Sequence, residues 1–204
     1  ALGVYPNFDP NNYADYSIDN FLNPAVQAIY EPGSVMKVIT MAAGIDSHKL
    51  TPDTTFYDSG SLTLDGRTIK NWDNKAHGKV TMTEVIEQSI NIGAAYAGKL
   101  ICKDLFYNYL VKFGFGGKTG IGLPGEVNGN LSNLKSSFRD INFSNAAFGQ
   151  GVAVTPIQMI NAFSAIANGG VLMKPYLNQE EKPSVARRVV SEEASRQVIQ
   201  MMMS

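Results

Sequence analysis

Glu31-Pro32-Gly33-Ser34-Val35-Met36-Lys37 is the stretch on which the reading of this chain turns. Pro32-Gly33 interrupts what comes before, and Ser34 opens a run carrying Met36, Val38, Ile39, Met41, Ala42 and Ile45. A serine directly after such a stop is a good helix start, which puts Ser34 at or beside the N-cap. The apolar positions are too continuous for a one-sided helix and predict one buried on most faces. Ser34 and Lys37 stand three apart, so their side chains share a face and the amine can reach the hydroxyl. A serine needs an adjacent base to attack a carbonyl at neutral pH. Lysine serves if it is uncharged, which asks for a pKa lowered by about 3 units, roughly 4 kcal/mol of differential environment. A buried helix start offers that desolvation, and its N–H groups point at any oxyanion formed there.

Working outward, the first thirty residues, with Pro6, Pro10 and Pro24, read as an extended, turn-rich approach. Ser61 to Lys70 alternates around Asp65-Gly66, a strong hairpin signal. Thr81 to Gln88 and Asn91 to Leu100 read as helices with Ser89-Ile90-Asn91 at their joint, followed by a helix from about Asp104 to Phe113. Gly114 to Asn130 is a glycine-rich loop. Thr155-Pro156 starts a helix that Gly169-Gly170 ends, and Ser191-Glu192-Glu193 caps a last one.

The bulk numbers exclude several functions. The 204 residues are 44% hydrophobic and 17% charged, as in an ordinary globular protein, and suffice for one domain. A net charge of −1 without a dense Lys/Arg cluster makes nucleic acid a poor partner. His48 and His77 lack metal-ligand spacing, so neither a metal site nor a Ser-His-Asp triad is expected. The single cysteine, Cys102, follows the apolar Leu100 and Ile101 and is expected in the core. No stretch is apolar enough to span a membrane, and no signal peptide opens the chain.

Ser-x-x-Lys alone is a weak signal, and a second copy, Ser132-Asn133-Leu134-Lys135, stands in a polar, loop-like stretch and reads as chance. Ser89-Ile90-Asn91 adds a hydroxyl that could relay a proton and an amide that could hold a substrate carbonyl. By itself that tripeptide is an ordinary capping turn. The two motifs in this order resemble the penicillin-binding proteins, whose signature is Ser-x-x-Lys, Ser-x-Asn and Lys-Thr-Gly. Tyr5 to Asn11, Asn71-Trp72, Thr119 to Glu126, Phe148-Gly149-Gln150-Gly151, Thr155 to Gln158 and Ala167 to Gly170 are similar to the class B branch, so the resemblance covers nearly the whole chain.

Lys118-Thr119-Gly120 looks like the third signature, but it lies in the glycine-rich loop with Pro124 close behind, so Lys118 is expected to be solvated. In the family the triplet lies on a sheet strand after the region matching Met201 to Met203. The resemblance therefore implies that residues 1–204 are a partial transpeptidase domain, lacking the C-terminal strands and the N-terminal membrane anchor. Without that strand Lys37 is expected to stay more hydrated and protonated.

The resemblance further implies an α/β fold of the penicillin-binding protein/serine β-lactamase type, mostly its helical lobe with an incomplete antiparallel sheet. It implies a peptidoglycan D,D-transpeptidase acting on D-Ala-D-Ala stem peptides and acylated by β-lactams. In it Ser34 is the nucleophile, Lys37 the base, Ser89 a proton relay and Asn91 a substrate-binding residue. It implies no metal or organic cofactor, an extracytoplasmic location, and cell-wall synthesis machinery as partners of the longer protein. The alternatives are a D,D-carboxypeptidase or β-lactamase, in which water replaces the acceptor amine, and a β-lactam-sensing domain without turnover. Ser-Ile-Asn-Ile-Gly-Ala-Ala leans toward a division role over elongation or sporulation.

Overall fold

The apolar run after Ser34 forms the central helix of a computed structural model that describes residues 2–135 and 139–204. A short helix α1 (Pro24–Gln27) precedes it, and α2 (Met36–Asp46) buries every residue from Met36 to Ile45. That burial follows from its neighbours, because α2 packs against α4 (Asn91–Ile101), α5 (Lys103–Lys112), α7 (Asp140–Ala147), α8 (Pro156–Ala167) and α9 (Glu192–Met203). Ser34 stands beside the N-cap of α2, which is Val35. It sits inside a 3-10 turn, Gly33–Val35, that feeds directly into α2, and its hydroxyl is turned to Lys37 instead of capping the helix.

Between α2 and α4 the chain makes two antiparallel ribbons. β1 (Thr55–Asp58) pairs with β4 (Gly78–Thr81), and β2 (Ser61–Leu64) pairs with β3 (Arg67–Lys70). Asp65 and Gly66 both take positive φ, 49° and 75°, the geometry that a tight two-residue hairpin requires. The helix α3 (Met82–Glu87) starts in a reciprocal Thr81–Glu84 capping box. Its end meets α4 closely: a Cβ on Gly93 would lie 2.3 Å from a Val85 methyl, so only glycine lets the two helices flank the Ser89 joint so tightly.

After α5 comes the expected loop, then α6 (Ser132–Lys135), a single helical turn where the sequence reads as a loop. Thr155 caps α8 with a second capping box, and β5 (Val171–Met173) pairs antiparallel with β6 (Val185–Arg188). Ser191 caps α9 through the Ala194 amide. The Asp46 carboxylate closes this layer, accepting from the Ser191 amide at 2.6 Å and the Tyr109 hydroxyl at 2.7 Å. The result is a helical body with three two-stranded antiparallel ribbons among the described residues, a mixed α/β architecture.

Cys102 overturns one expectation. It is exposed, not buried, because it is the joint between α4 and α5 with φ 70° and ψ 152°, and the reversal at that point turns its side chain outward. Among the described residues no helix is long and apolar enough to cross a membrane.

Candidate active site

The turn bearing Ser34 is fixed from outside by the Phe148–Val154 segment. Tyr30 and Val154 exchange backbone hydrogen bonds at 3.0 Å each, and the Gly33 amide donates to the Gly149 carbonyl at 3.0 Å. The Gly151 amide donates to the Glu31 carboxylate at 2.8 Å. Gly149 has φ 82°, and a Cβ there would fall 2.1 Å from the Gly33 carbonyl oxygen. Two glycine backbones thus lie in direct contact one residue before Ser34, an approach that any side chain would block.

From the first turns of α2, Lys37 reaches back along its own helix, and its side chain is only 2% exposed. Its Nζ lies 3.2 Å from Ser34 Oγ, 2.9 Å from Ser89 Oγ and 2.6 Å from the Ser89 carbonyl oxygen. An ammonium would donate all three of its hydrogens to these acceptors. An uncharged amine would keep two bonds to Ser89 and use its lone pair to accept the Ser34 proton, the arrangement that general-base activation needs. Burial pulls the Lys37 pKa down from 10.5 to about 8. At pH 7 the uncharged fraction is then about one in ten, against about one in three thousand for a solvated lysine. The expected hydrated amine is not found: the side chain is already dry within this chain, although near neutrality the charged form still predominates.

Ser89 sits where α3 ends. Its amide donates to the Ile86 carbonyl and that of Ile90 to the Val85 carbonyl, at 3.2 and 3.0 Å, the pair of bonds that defines a Schellman C-cap. The residue at its left-handed corner is usually glycine, yet here it is Ser89 at φ 54°. That backbone turns both its carbonyl and its hydroxyl toward one amine. Replacing Ser89 by alanine or by glycine removes the same hydroxyl, but only alanine keeps the strained corner. Ser89→Gly is expected to be the more stable of the two by about 1 kcal/mol, about 2–4 °C in Tm. Equal thermal midpoints would show that the corner is unstrained.

Asn91 opens α4, but its side chain is not bonded to this trio. Its amide donates to the Lys70 carbonyl at 3.0 Å and lines a polar cleft of about 220 Å³ with Arg67, Asn145 and Gln150. Lys118 is exposed. Beside it the Glu126 carboxylate accepts from the Thr119 amide and hydroxyl, at 2.6 and 2.5 Å, and from the Gly120 amide at 3.2 Å. The Lys118-Thr119-Gly120 triplet lies in a loop with Lys118 solvated, as its glycine-rich setting led one to expect, and that loop closes around the buried Glu126 carboxylate. Among the described residues no group of three or more His, Cys, Asp or Glu side chains is placed to hold a metal ion.

Sequence reasoning missed three things: the Ser89 carbonyl as a lysine partner, the buried Asp58, and the work of Asn71. Asn71 is 3% and Asp58 0% exposed, and they are joined by a bond of 2.6 Å. An Asn-Trp pair after a hairpin was a visible signal, but its partner thirteen residues earlier was not.

A serine and a buried lysine one helical turn apart thus meet a second serine from a helix joint. Residues 1–204 match the penicillin binding protein transpeptidase domain, and the chain belongs to that family, in its class B branch. Stage V sporulation protein D of Bacillus subtilis (strain 168) is 39% identical over 97% of this chain and 33% of its own length. The peptidoglycan D,D-transpeptidase FtsI homolog of Mesostigma viride is 30% identical over 87% of this chain and 31% of its own length. Among solved structures, penicillin binding protein 3 of Mycobacterium tuberculosis complexed with aztreonam superimposes with a TM-score of 0.79 at 32% identity, covering 95% of this chain and 45% of that one. The chain spans about a third of the length of these curated relatives.

Proposed function

We propose that this chain carries the acylation centre of a peptidoglycan D,D-transpeptidase. The observation that carries the reading is the buried Lys37 Nζ held between Ser34 Oγ and Ser89. Ser34 Oγ attacks the penultimate D-Ala carbonyl of a stem peptide as its proton passes to Lys37 Nζ. The C–N bond then breaks, the proton returns through the Ser89 hydroxyl to the departing D-Ala amine, and the acyl group stays on Ser34. An amine from a neighbouring stem peptide attacks the ester next, forming the cross-link and freeing Ser34. Asn91, in its cleft beside Lys70, orients the donor peptide. No metal or organic cofactor takes part in these steps.

β-Lactams, as mimics of the donor, acylate the same oxygen. In this reading residues 1–204 are one part of a larger transpeptidase domain whose own Lys-Thr-Gly strand completes the site. The longer protein works on the outer face of the cell membrane, held by an N-terminal helix and serving the cell-wall synthesis machinery. The test is to incubate the full-length protein with a D-Ala-D-Ala donor peptide, with and without an acceptor amine. Free D-Ala, an acyl adduct on the peptide containing Ser34, and an amine-dependent cross-linked product are expected. Hydrolysis alone would indicate a carboxypeptidase. A stable adduct that never turns over would indicate a sensor, and no adduct would end the proposal.

A further inference from the structure

Ser89 is held in a backbone conformation that its side chain disfavours, and the residues that hold it lie outside the acylating trio. The chain from Lys70 to His77 grips the joint on both sides. Before Ser89, Trp72 Nε1 donates to the Gln88 carbonyl at 3.2 Å, and His77 Nδ1 lies 2.8 Å from Gln88 Oε1. After it, Asn71 Oδ1 accepts from the Ile92 amide at 3.3 Å, and the Lys70 carbonyl accepts from the Asn91 side chain at 3.0 Å. Asn71 is itself anchored, donating to Asp58 Oδ2 at 2.6 Å and to the Lys75 carbonyl at 3.0 Å. The buried Asp58 also accepts from the Gly60 and His77 amides, at 2.9 and 3.0 Å, so the β1 end, the 70–77 segment and the start of α4 form one unit.

A left-handed non-glycine residue persists only where its surroundings over-determine it. The Schellman bonds close the turn but do not choose serine for its corner. We propose that Asn71 is a positioning residue, the buried anchor of a clamp that keeps the Ser89 carbonyl and hydroxyl on Lys37 and so sets the rate of acylation. The inference rests on Ser34 and Lys37 being the acylating pair. Loosening the clamp lets Ser89 relax toward ordinary backbone angles, and the amine loses the two partners that aim its lone pair at Ser34.

Saturation kinetics of acylation by a fluorescent penicillin, on the full-length protein, separates the acylation rate constant from the non-covalent Kd. Asn71→Leu, close in volume and unable to hydrogen-bond, is expected to slow acylation about 100-fold with Kd changed by less than about threefold. Ser191→Ala, which removes the α9 cap beside Asp46 at the far end of α2 from Ser34, is a control for a general loss of stability and is expected to leave the rate constant unchanged. An Asn71→Leu rate within about twofold of the parent, or an equal fall in Ser191→Ala, would overturn the proposal. If Asn71→Leu does not fold, Trp72→Phe decides. Trp72 is 72% exposed, so only its bond to Gln88 is lost, and acylation is expected to slow about threefold. An unchanged rate in that variant counts against the clamp. Ser34→Ala separates the two readings: if it still becomes acylated, the catalytic assignment has failed, and if it is inert while the clamp variants react normally, only the clamp has failed.

Discussion

Ser34→Ala is expected to abolish covalent labelling of the full-length protein by a fluorescent penicillin, a fall of at least about 10⁴-fold, while Lys118→Ala labels normally. The contrast is sharp because two hydroxyls flank the same amine, with Ser34 Oγ 3.2 Å and Ser89 Oγ 2.9 Å from Lys37 Nζ. Distance alone favours the wrong one. Ser34 is exposed at the mouth of a helix start, where backbone N–H groups can receive the oxyanion, whereas Ser89 is half-buried at the C-terminal end of α3. A penicilloyl adduct located by peptide mapping belongs on Ser34. Label that survived Ser34→Ala but vanished in Ser89→Ala would reassign the nucleophile.

Lys37→Met should produce the second large effect, a loss of acylation of about 10³-fold without loss of the fold. In the parent, the rate is expected to climb with pH through an inflection no higher than about 8, the value to which burial lowers this amine. A flat profile between pH 5 and 9 in the parent would remove Lys37 as the base. Stability gives an independent reading. A folded-state pKa below the unfolded one means that the unfolded chain binds the extra proton between about pH 8 and 10.5, so stability rises with pH across that window. The parent should therefore gain about 3 kcal/mol relative to Lys37→Met between those limits, measured by urea unfolding at each pH. No change in the difference would mean that the amine is not desolvated.

The pairing of Ser34 with Lys37 was legible because it is local: three residues on a helix fix the geometry before anything else folds. The same is true of the Asp65-Gly66 hairpin and the capped starts of α3 and α8. Ser89 was legible as a hydroxyl at a helix joint, but not as a carbonyl that accepts from Lys37, because that depends on one positive φ that serine does not advertise. Cys102 was misplaced for a related reason, since an apolar run says nothing of the reversal that follows it. The Asp58–Asn71 anchor joins residues thirteen apart to a helix twenty-one further on, and no local pattern carries such a bond. In the same way, the turn at Ser132–Lys135 shows that a polar stretch can be helical when tertiary packing, here of the buried Leu134, repays it.

Helix α2 has no wet side, from Met36 through Ile45. A cylinder enclosed all round by other helices cannot fray or dock late by itself, so its order is that of the entire body. The chemical competence of Lys37 is thereby tied to global integrity. On the proposed function, β-lactam labelling is expected to gauge foldedness, with a destabilising change in the surrounding helices lowering the number of reactive molecules before it alters the reactivity of those that remain intact.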